Sequence, residues 1–399
     1  LDLRVRKGVR RHGVRLAVAT SRPSSLDPSA AAVARFAPGA GEAFLAALNA
    51  ALGGGGVLGE LAQAAGSTEE AVRGVAAALR GEDVVVVFGE RLITGPRADQ
   101  SARALLNVAG HLGLRDRDGA GLLEVPSAAN GRGLREVCGA AADPLDEPAA
   151  VYLLHADPVR ESPDRAAWDA RLERATTVVA HAAFLTEGVR EHATVVFPAE
   201  SYAERDGTVT HPDGRIQRLR PAISLQDGNR YGWQALAALL GDDRLYTTGM
   251  VWQRIGEAVP AYAGITLDDI GGRGVRWPER NADAARGDLD FGPFGLESPP
   301  HGVGGSDSDL RLGTYRSIWD APEVEASPAL AFVAGNGHIE LSPADAERLG
   351  VFQDETVLVA HGEDTLEAKV ALRAAIPQGT VFLGSNAFPG PTVTVRKLG

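Results

Sequence analysis

The apolar positions of this chain fall into three regimes. The most regular begins at Val151. Apolar runs at Val151–His155, Thr177–His181 and Thr194–Phe197 alternate with helically spaced segments at Asp164–Ala175 and Phe184–His192. Continuous apolar runs are typical of strands buried on both faces, and strand-helix-strand-helix-strand predicts a doubly wound parallel sheet. The loops at Asp157, Phe184 and Glu200 would share its carboxyl edge, where ligands of open α/β sheets sit.

The regime before it is also α/β. Leu3–His12 reads as a helix with Leu3, Val5 and Val9 apolar; Arg4, Arg6, Lys7, Arg10 and Arg11 form a solvated basic face, and Gly13 stops the helix. Val14–Thr20 is then a strand. Gly41–Leu52 is an alanine-rich helix ended by Gly53–Gly56, and Ser67 at N-cap with Glu70 at N3 opens another that runs to about Arg80. Val84–Phe88 is an apolar run of the buried-strand kind. Ala98–Leu112 is helical, with Ala102, Leu105, Leu106 and Ala109 on one face. A short strand at Leu122–Val125 leads into a glycine-rich loop, Pro126–Arg135, able to turn backbone N–H groups toward an anion.

After the helices Tyr231–Leu240 and Val251–Ala258, Arg280–Asp309 is rich in Gly, Pro and Asp and reads as a linker. The last regime is mostly strands: Thr356–Ala360, Leu366–Ala371 and Thr380–Leu383, with turns at Gly362, Pro377-Gln378-Gly379 and Pro389-Gly390. One short helix is capped by Ser342 and Pro343 and closed by Gly350. This pattern predicts a small β-barrel. The domains expected are 1–126, 127–309 and 310–399, the first two α/β and the last mostly β.

One stretch concentrates the polar chemistry. Val195-Val196-Phe197 is a strand that Pro198 ends, and Asp206-Gly207 and Asp213-Gly214 are turn dipeptides. A hairpin is expected over the carboxyl edge, beside Asp157 and Asn130, with Arg215 and Gln217 on one face and Arg215 paired with Glu204 or Asp206.

Composition narrows the function. The 399 residues carry a formal charge of −12, which disfavours nucleic acid as a partner. No run approaches the roughly 18 apolar residues of a membrane span, and no charged-then-apolar signal peptide opens the chain. The single cysteine, Cys138, excludes an internal disulfide and, alone, an iron–sulfur cluster. It is expected to be an inert small hydrophobe, with a reactive thiol as the alternative. His155 and His181 end strands, where either could approach a ligand; the expected reading is satisfied edge or core histidines. Glu187, Glu200, Glu204, Asp206 and Asp213 match no acid–base pair. There is no G-x-S-x-G, H-E-x-x-H or P-loop motif. Gly54, Gly56 and Gly59 match G-x-G-x-x-G, but follow a helix rather than a strand. No catalytic residue and no metal site are expected.

The segment Phe197–Arg218, FPAESYAERDGTVTHPDGRIQR, resembles a signature of the molybdopterin oxidoreductase superfamily, as do His155-Ala156-Asp157-Pro158 and Phe184-Leu185-Thr186-Glu187. Pro126–Glu136 and Ile270–Trp277 resemble one family within it in particular, the large iron–sulfur subunits of NADH-quinone oxidoreductase, respiratory complex I. The resemblance covers nearly the whole chain. It implies molybdopterin oxidoreductase-like α/β domains and a six-stranded barrel that caps the cofactor. It also implies a vestigial pterin site at Asn130, Gly131, Asp157, Glu204, Asp206, Gly207, Thr208, Arg215 and Gln217.

The resemblance further implies that this part is a catalytically silent scaffold of a fold that once held a pterin cofactor and in complex I usually holds none. Iron–sulfur clusters belong to an N-terminal part upstream, and the other peripheral-arm subunits are the partners, on the cytoplasmic face of the membrane without direct insertion. Leu1 and the basic helix behind it are read as the start of a chain lacking its native N-terminus. Two alternatives stand. One is a fragment of a molybdopterin-dependent enzyme such as a formate dehydrogenase, whose metal ligand would lie upstream. The other is a free-standing binding module.

Overall fold

The computed structural model describes residues 1–81, 83–115, 117–139, 146–242, 244–276, 290–300, 309–317, 319–333, 337–384 and 388–398. The greater part of the expected linker, and Trp277, lie outside these residues. The chain divides into two compact units, Leu1–Leu122 with Asp290–Gly399, and Leu123–Leu289. The first holds nearly all of the segment expected as 1–126 together with that expected as 310–399.

In the first unit, helix α1 (Asp2–His12) ends at Gly13 in the left-handed conformation, φ 67°. Strands β1 (Ala17–Thr20) and β2 (Ala32–Arg35) form a parallel pair. Helices α2 (Gly41–Ala51), α3 (Leu58–Ala64) and α4 (Glu69–Ala78) share a core of Phe44, Ala47, Leu48, Val72 and Val75, where small alanines let the elements approach closely. The cap of α4 is Thr68, which accepts from Ala71 N, and not Ser67. Ser67 N is already bonded to Ala62 O beyond the left-handed Gly66, so it closes the preceding helix.

Strand β3 (Val85–Gly89) lies with the start of β4 (Gly121–Val125), the helix α5 (Ala98–His111) between them in sequence. Contrary to the reading of a strand buried on both faces, Val85 and Val87 are exposed, while Val86 and Phe88 pack against the cluster of Leu45, Ala104 and Leu105. A two-stranded sheet has only one face covered. Of the expected face of α5, Leu105 and Ala109 are buried but Ala102 and Leu106 only half so, while Ser101, Ala104 and Val108 are buried as well.

The second unit opens with α6 (Gly131–Cys138), which occupies much of the expected glycine-rich loop. Then follow β5 (Ala150–Leu154), α7 (Pro158–Glu161), α8 (Arg165–Arg174), β6 (Thr177–Ala182), α9 (Glu187–His192) and β7 (Val195–Pro198). The three strands form one parallel sheet in the order β5-β6-β7, with Val151 beside Val178 and Ala180 beside Val196. Leu153, Val159, Leu172, Val178, Ala180 and Val189 make its core. The expected hairpin is present: β8 (Gly207–Thr210) pairs antiparallel with β9 (Ile216–Leu219). Helices α10 (Gly232–Leu239), α11 (Thr248–Ala258) and α12 (Leu267–Ile270) complete the unit. Ile216, Trp252, Tyr262 and Ile270 pack together there.

The first unit resumes with the barrel, built of β10 (Leu310–Thr314), α13 (Pro322–Glu325), β11 (His338–Leu341), α14 (Pro343–Leu349), β12 (Thr356–His361), β13 (Asp364–Leu372), β14 (Thr380–Leu383) and β15 (Thr392–Lys397). Its six strands close in the order β10-β14-β11-β13-β12-β15. Leu310, Ile339, Leu341, Val357, Val359, Val370, Val381 and Leu383 fill the interior at alternate strand positions. Ser342 caps α14 and Gly350, φ 68°, closes it, as the sequence indicated. The fold class is therefore α/β with parallel sheets and a closed six-stranded barrel. Among the described residues no helix is long and apolar enough to cross a membrane.

Candidate functional site

The carboxyl ends of β5, β6 and β7 carry the first group of polar side chains. Asp157 stands three residues beyond the end of β5 and caps α7, with Pro158 at the first helical position. Its Oδ1 accepts from Val159 N and Arg160 N at 3.1 and 3.3 Å, and Oδ2 accepts from Gly188 N at 3.1 Å. The carboxylate is 4% exposed. It thus occupies the helix N-terminus with the chain's own negative charge. Gly188 permits this, because a Cβ there would lie 2.3 Å from Asp157 Oδ1.

His155 leaves β5 with φ 49°, a left-handed conformation uncommon outside glycine. Its Nε2 lies 3.3 Å from Glu200 Oε1, and its ring stacks on His181 at 5.8 Å. The His155 Nε2 and Glu200 Oε2 atoms are buried without an aligned hydrogen-bond partner. Burial pushes the Glu200 carboxyl up, but the His155 imidazole beside it, the local backbone and His181 outweigh this and hold it below the usual range. His181 is fully buried. Its Nε2 is 3.0 Å from Arg230 O and its Nδ1 3.4 Å from the Tyr152 hydroxyl, so it is the satisfied core histidine expected.

The hairpin arm carries the second group. Glu204, 2% exposed, accepts from Ser201 N at 2.8 Å and Gln226 N at 2.6 Å, and these N–H groups hold its carboxyl below the usual range. Asp206 accepts from Arg218 Nη2 and from Thr248 Oγ1, both at 2.9 Å. The expected pairing of Arg215 with Glu204 or Asp206 does not occur. Arg215 Nη1 donates instead to Arg273 O at 2.8 Å. Strand alternation explains the exchange: Thr208 stands opposite Arg218, so Asp206, Thr208 and Arg218 share one face. Arg215 and Gln217 lie on the other, flanking Gly274.

Asn130, Asp206, Gly207 and Thr208 come together around one cavity of about 250 Å³ in the second unit. Asn130 Oδ1 accepts from Thr210 N at 2.8 Å, which ties α6 to the hairpin. Gly133 allows the approach, since a Cβ would meet Asn130 Oδ1 at 2.3 Å. Gly131, Asp157, Glu204, Arg215 and Gln217 do not line this cavity. Its other walls were not anticipated: Leu134 and Val137 of α6, Trp233 of α10, and Val251, Trp252 and Ile255 of α11. The helical spacing of residues 251, 252 and 255 was the available signal, but it reads equally as plain core. Cys138 also lines the cavity and is exposed.

Among the described residues, Asp169, Glu191 and His192 form the one group spaced for a metal ion. His192 Nε2 is 3.0 Å from Asp169 Oδ1, and Arg165 Nε approaches the same carboxylate at 3.5 Å. A neighbouring guanidinium disfavours a cation, and the group is an ion-paired cluster.

The family model described as molybdopterin oxidoreductase matches residues 29–242, more than half of the chain. The chain belongs to the molybdopterin oxidoreductase family. It is 29% identical over 388 residues to the NADPH-Fe(3+) oxidoreductase subunit alpha of Geobacter sulfurreducens, covering 86% of this chain and 43% of that subunit. It is 27% identical to the F420-dependent formate dehydrogenase 1 subunit alpha of Methanococcus maripaludis, over 58% of this chain and 38% of that one. With a G-type subunit of NADH-quinone oxidoreductase from Rhizobium meliloti it shares 30% identity, over 59% of this chain and 27% of the other. The chain spans less than half the length of these relatives. Acetylene hydratase from Pelobacter acetylenicus has the same fold, with a TM-score of 0.64 at 14% identity, over 96% of this chain and 69% of that one.

Proposed function

We propose that the chain is a catalytically silent scaffold portion of an iron–sulfur electron-transfer subunit, of the kind that NADH-quinone oxidoreductase carries as its large iron–sulfur component. It works within a multi-subunit complex on the cytoplasmic face of the membrane, and its nine candidate residues are the remains of a pterin site. The observation that carries this is Asp157. A pterin cofactor bears phosphate, and a helix N-terminus beyond a parallel strand is where α/β sheets hold phosphate. Here that position is filled by the Asp157 carboxylate. Glu204 and Asp206 are likewise bonded within the chain, and among the described residues no Lys or Arg lines the cavity. These residues do not fit an anionic cofactor.

The rival is a molybdenum enzyme of the formate dehydrogenase kind, which the similarity to such subunits supports to the same degree. The test is the full-length subunit purified with its partners from its source. The proposal expects co-purification with an NADH-oxidising assembly, and molybdenum and oxidised-pterin fluorescence far below stoichiometric. One molybdenum with its pterin per chain, and formate-dependent dye reduction, would establish the rival instead.

A further inference from the structure

We propose that the cavity between α6, the hairpin and α11 is a binding site for a small, neutral, flat aromatic molecule bearing one N–H or O–H donor. The inference rests on the cavity's own lining and holds whether or not the chain is a silent scaffold. At about 250 Å³ the space lies just below the roughly 300–1,000 Å³ usual for small-molecule pockets, a size suited to a one- or two-ring molecule.

The walls set the chemistry. Leu134, Val251, Ile255 and the indole of Trp252 line it with apolar surface, while Asp206 and Thr208 are polar. Among the described residues Asp206 is the single charged side chain in the lining, with no Lys or Arg beside it there. An anion therefore finds no cationic side chain in the lining, and Arg218, behind Asp206, is already engaged by that carboxylate. A free cation gains little, because Arg218 already neutralises Asp206 at 2.9 Å. A neutral donor suits the site, since the Asp206 oxygens accept one bond each from Arg218 and Thr248 and each retains a lone pair. Aromatic bodies suit the remaining walls, where a mostly apolar pocket with few polar groups is the usual form of a small-molecule site.

Two features make the site testable. Cys138, the only cysteine of the chain, stands on the cavity wall and is exposed, so a thiol reagent labels one place. Thr208 lines the cavity from the hairpin face it shares with Asp206, so a larger side chain there enters the space.

The experiment is a titration of the full chain with indole, and with benzoate as the anionic counterpart. It is followed by ligand-observed NMR and by the rate of Cys138 alkylation. The proposal expects saturable indole binding and protection of Cys138, the rate falling about tenfold when indole stands at about ten times its Kd. Benzoate should neither bind nor protect. Thr208→Phe and, separately, Val251→Trp should abolish both effects while keeping a cooperative unfolding transition. The inference is overturned by no saturable indole binding to the folded chain, by binding that leaves Cys138 unprotected, by benzoate binding equally well, or by binding that survives in both filled variants.

Discussion

Arg22 grips Glu340 through two hydrogen bonds, Nε to Oε2 at 2.6 Å and Nη2 to Oε1 at 2.8 Å. The loop after β1 is thereby fixed to the middle of barrel strand β11. The guanidinium also lies 3.9 Å over the Tyr315 ring, and Arg373 Nε approaches the same carboxylate at 3.3 Å. Glu340 is only 3% exposed, so the fork is a planar match made largely out of water.

Arg22→Ala should destabilise the first unit by about 3 kcal/mol, at the low end for a broken buried pair because Arg22 is partly open to solvent. Burial pushes the Glu340 carboxyl up, and the bonds and charge of Arg22, with Arg373, more than reverse this, so it titrates below its ordinary value. A carboxyl depressed in the folded state contributes stability that is present above its unfolded pKa, about 4.3, and is lost as the pH falls through the lower folded value. Denaturant midpoints measured from pH 7 down to about 3 should therefore drop in the wild type below about 4.3. The drop should be shallower in Arg22→Ala. An equal slope in both would contradict the assignment.

Arg218, not Arg215, should hold the hairpin. Arg218→Ala removes a partly buried ion pair to Asp206, with an expected loss of about 1–2 kcal/mol. Arg215→Ala removes one solvent-exposed bond from a half-buried side chain to Arg273 O and should change stability by about 0.5 kcal/mol or less. Urea denaturation of the two variants side by side decides the order.

Asp157→Ala should cost about 2–3 kcal/mol, the sum of a lost helix cap and a buried Gly188 N–H left without its acceptor. Gly188→Ala should cost about 1–3 kcal/mol from the opposite direction, since its methyl would press on the same carboxylate. Thermal unfolding of both would show losses of similar size with distinct causes. A neutral Asp157→Ala would remove the reason for reading that carboxylate as internally engaged.

Ile339→Ala in the centre of the barrel should lose about 2–5 kcal/mol, because Ile339 is fully buried among residues from several strands and the cavity cannot collapse. The readout is the same denaturant midpoint.

Much of this was legible in the sequence because it depends on local rules. Pro198, Asp206-Gly207 and Asp213-Gly214 are sufficient to announce a strand, an exit and a hairpin, and Ser342-Pro343 with Gly350 brackets a helix. The failures are where distant partners decide. Asn130, Gly131 and Gly133 look like loop residues, yet they open a helix whose small Gly133 admits Asn130 and Thr210. Arg215 and Arg218 have the same chemistry in sequence, and only the register that sets Thr208 against Arg218 chooses between them. The cavity was invisible for the same reason, since α6, the hairpin and α11 supply its walls from separated stretches.

The strand β15 pairs with both β12 and β10, and among the described residues no other strand joins those two. Its consequence concerns time rather than architecture. Leu310 must wait for Val393, more than eighty positions later, before its neighbour exists. Until then both β10 and β12 present a bare row of backbone donors and acceptors, the kind of edge on which strands from other molecules assemble. Sequence-distant pairing of this sort makes closure slow as well as late. The interval between the first and the last barrel strand is thus the period in which this chain most needs protection from its own kind.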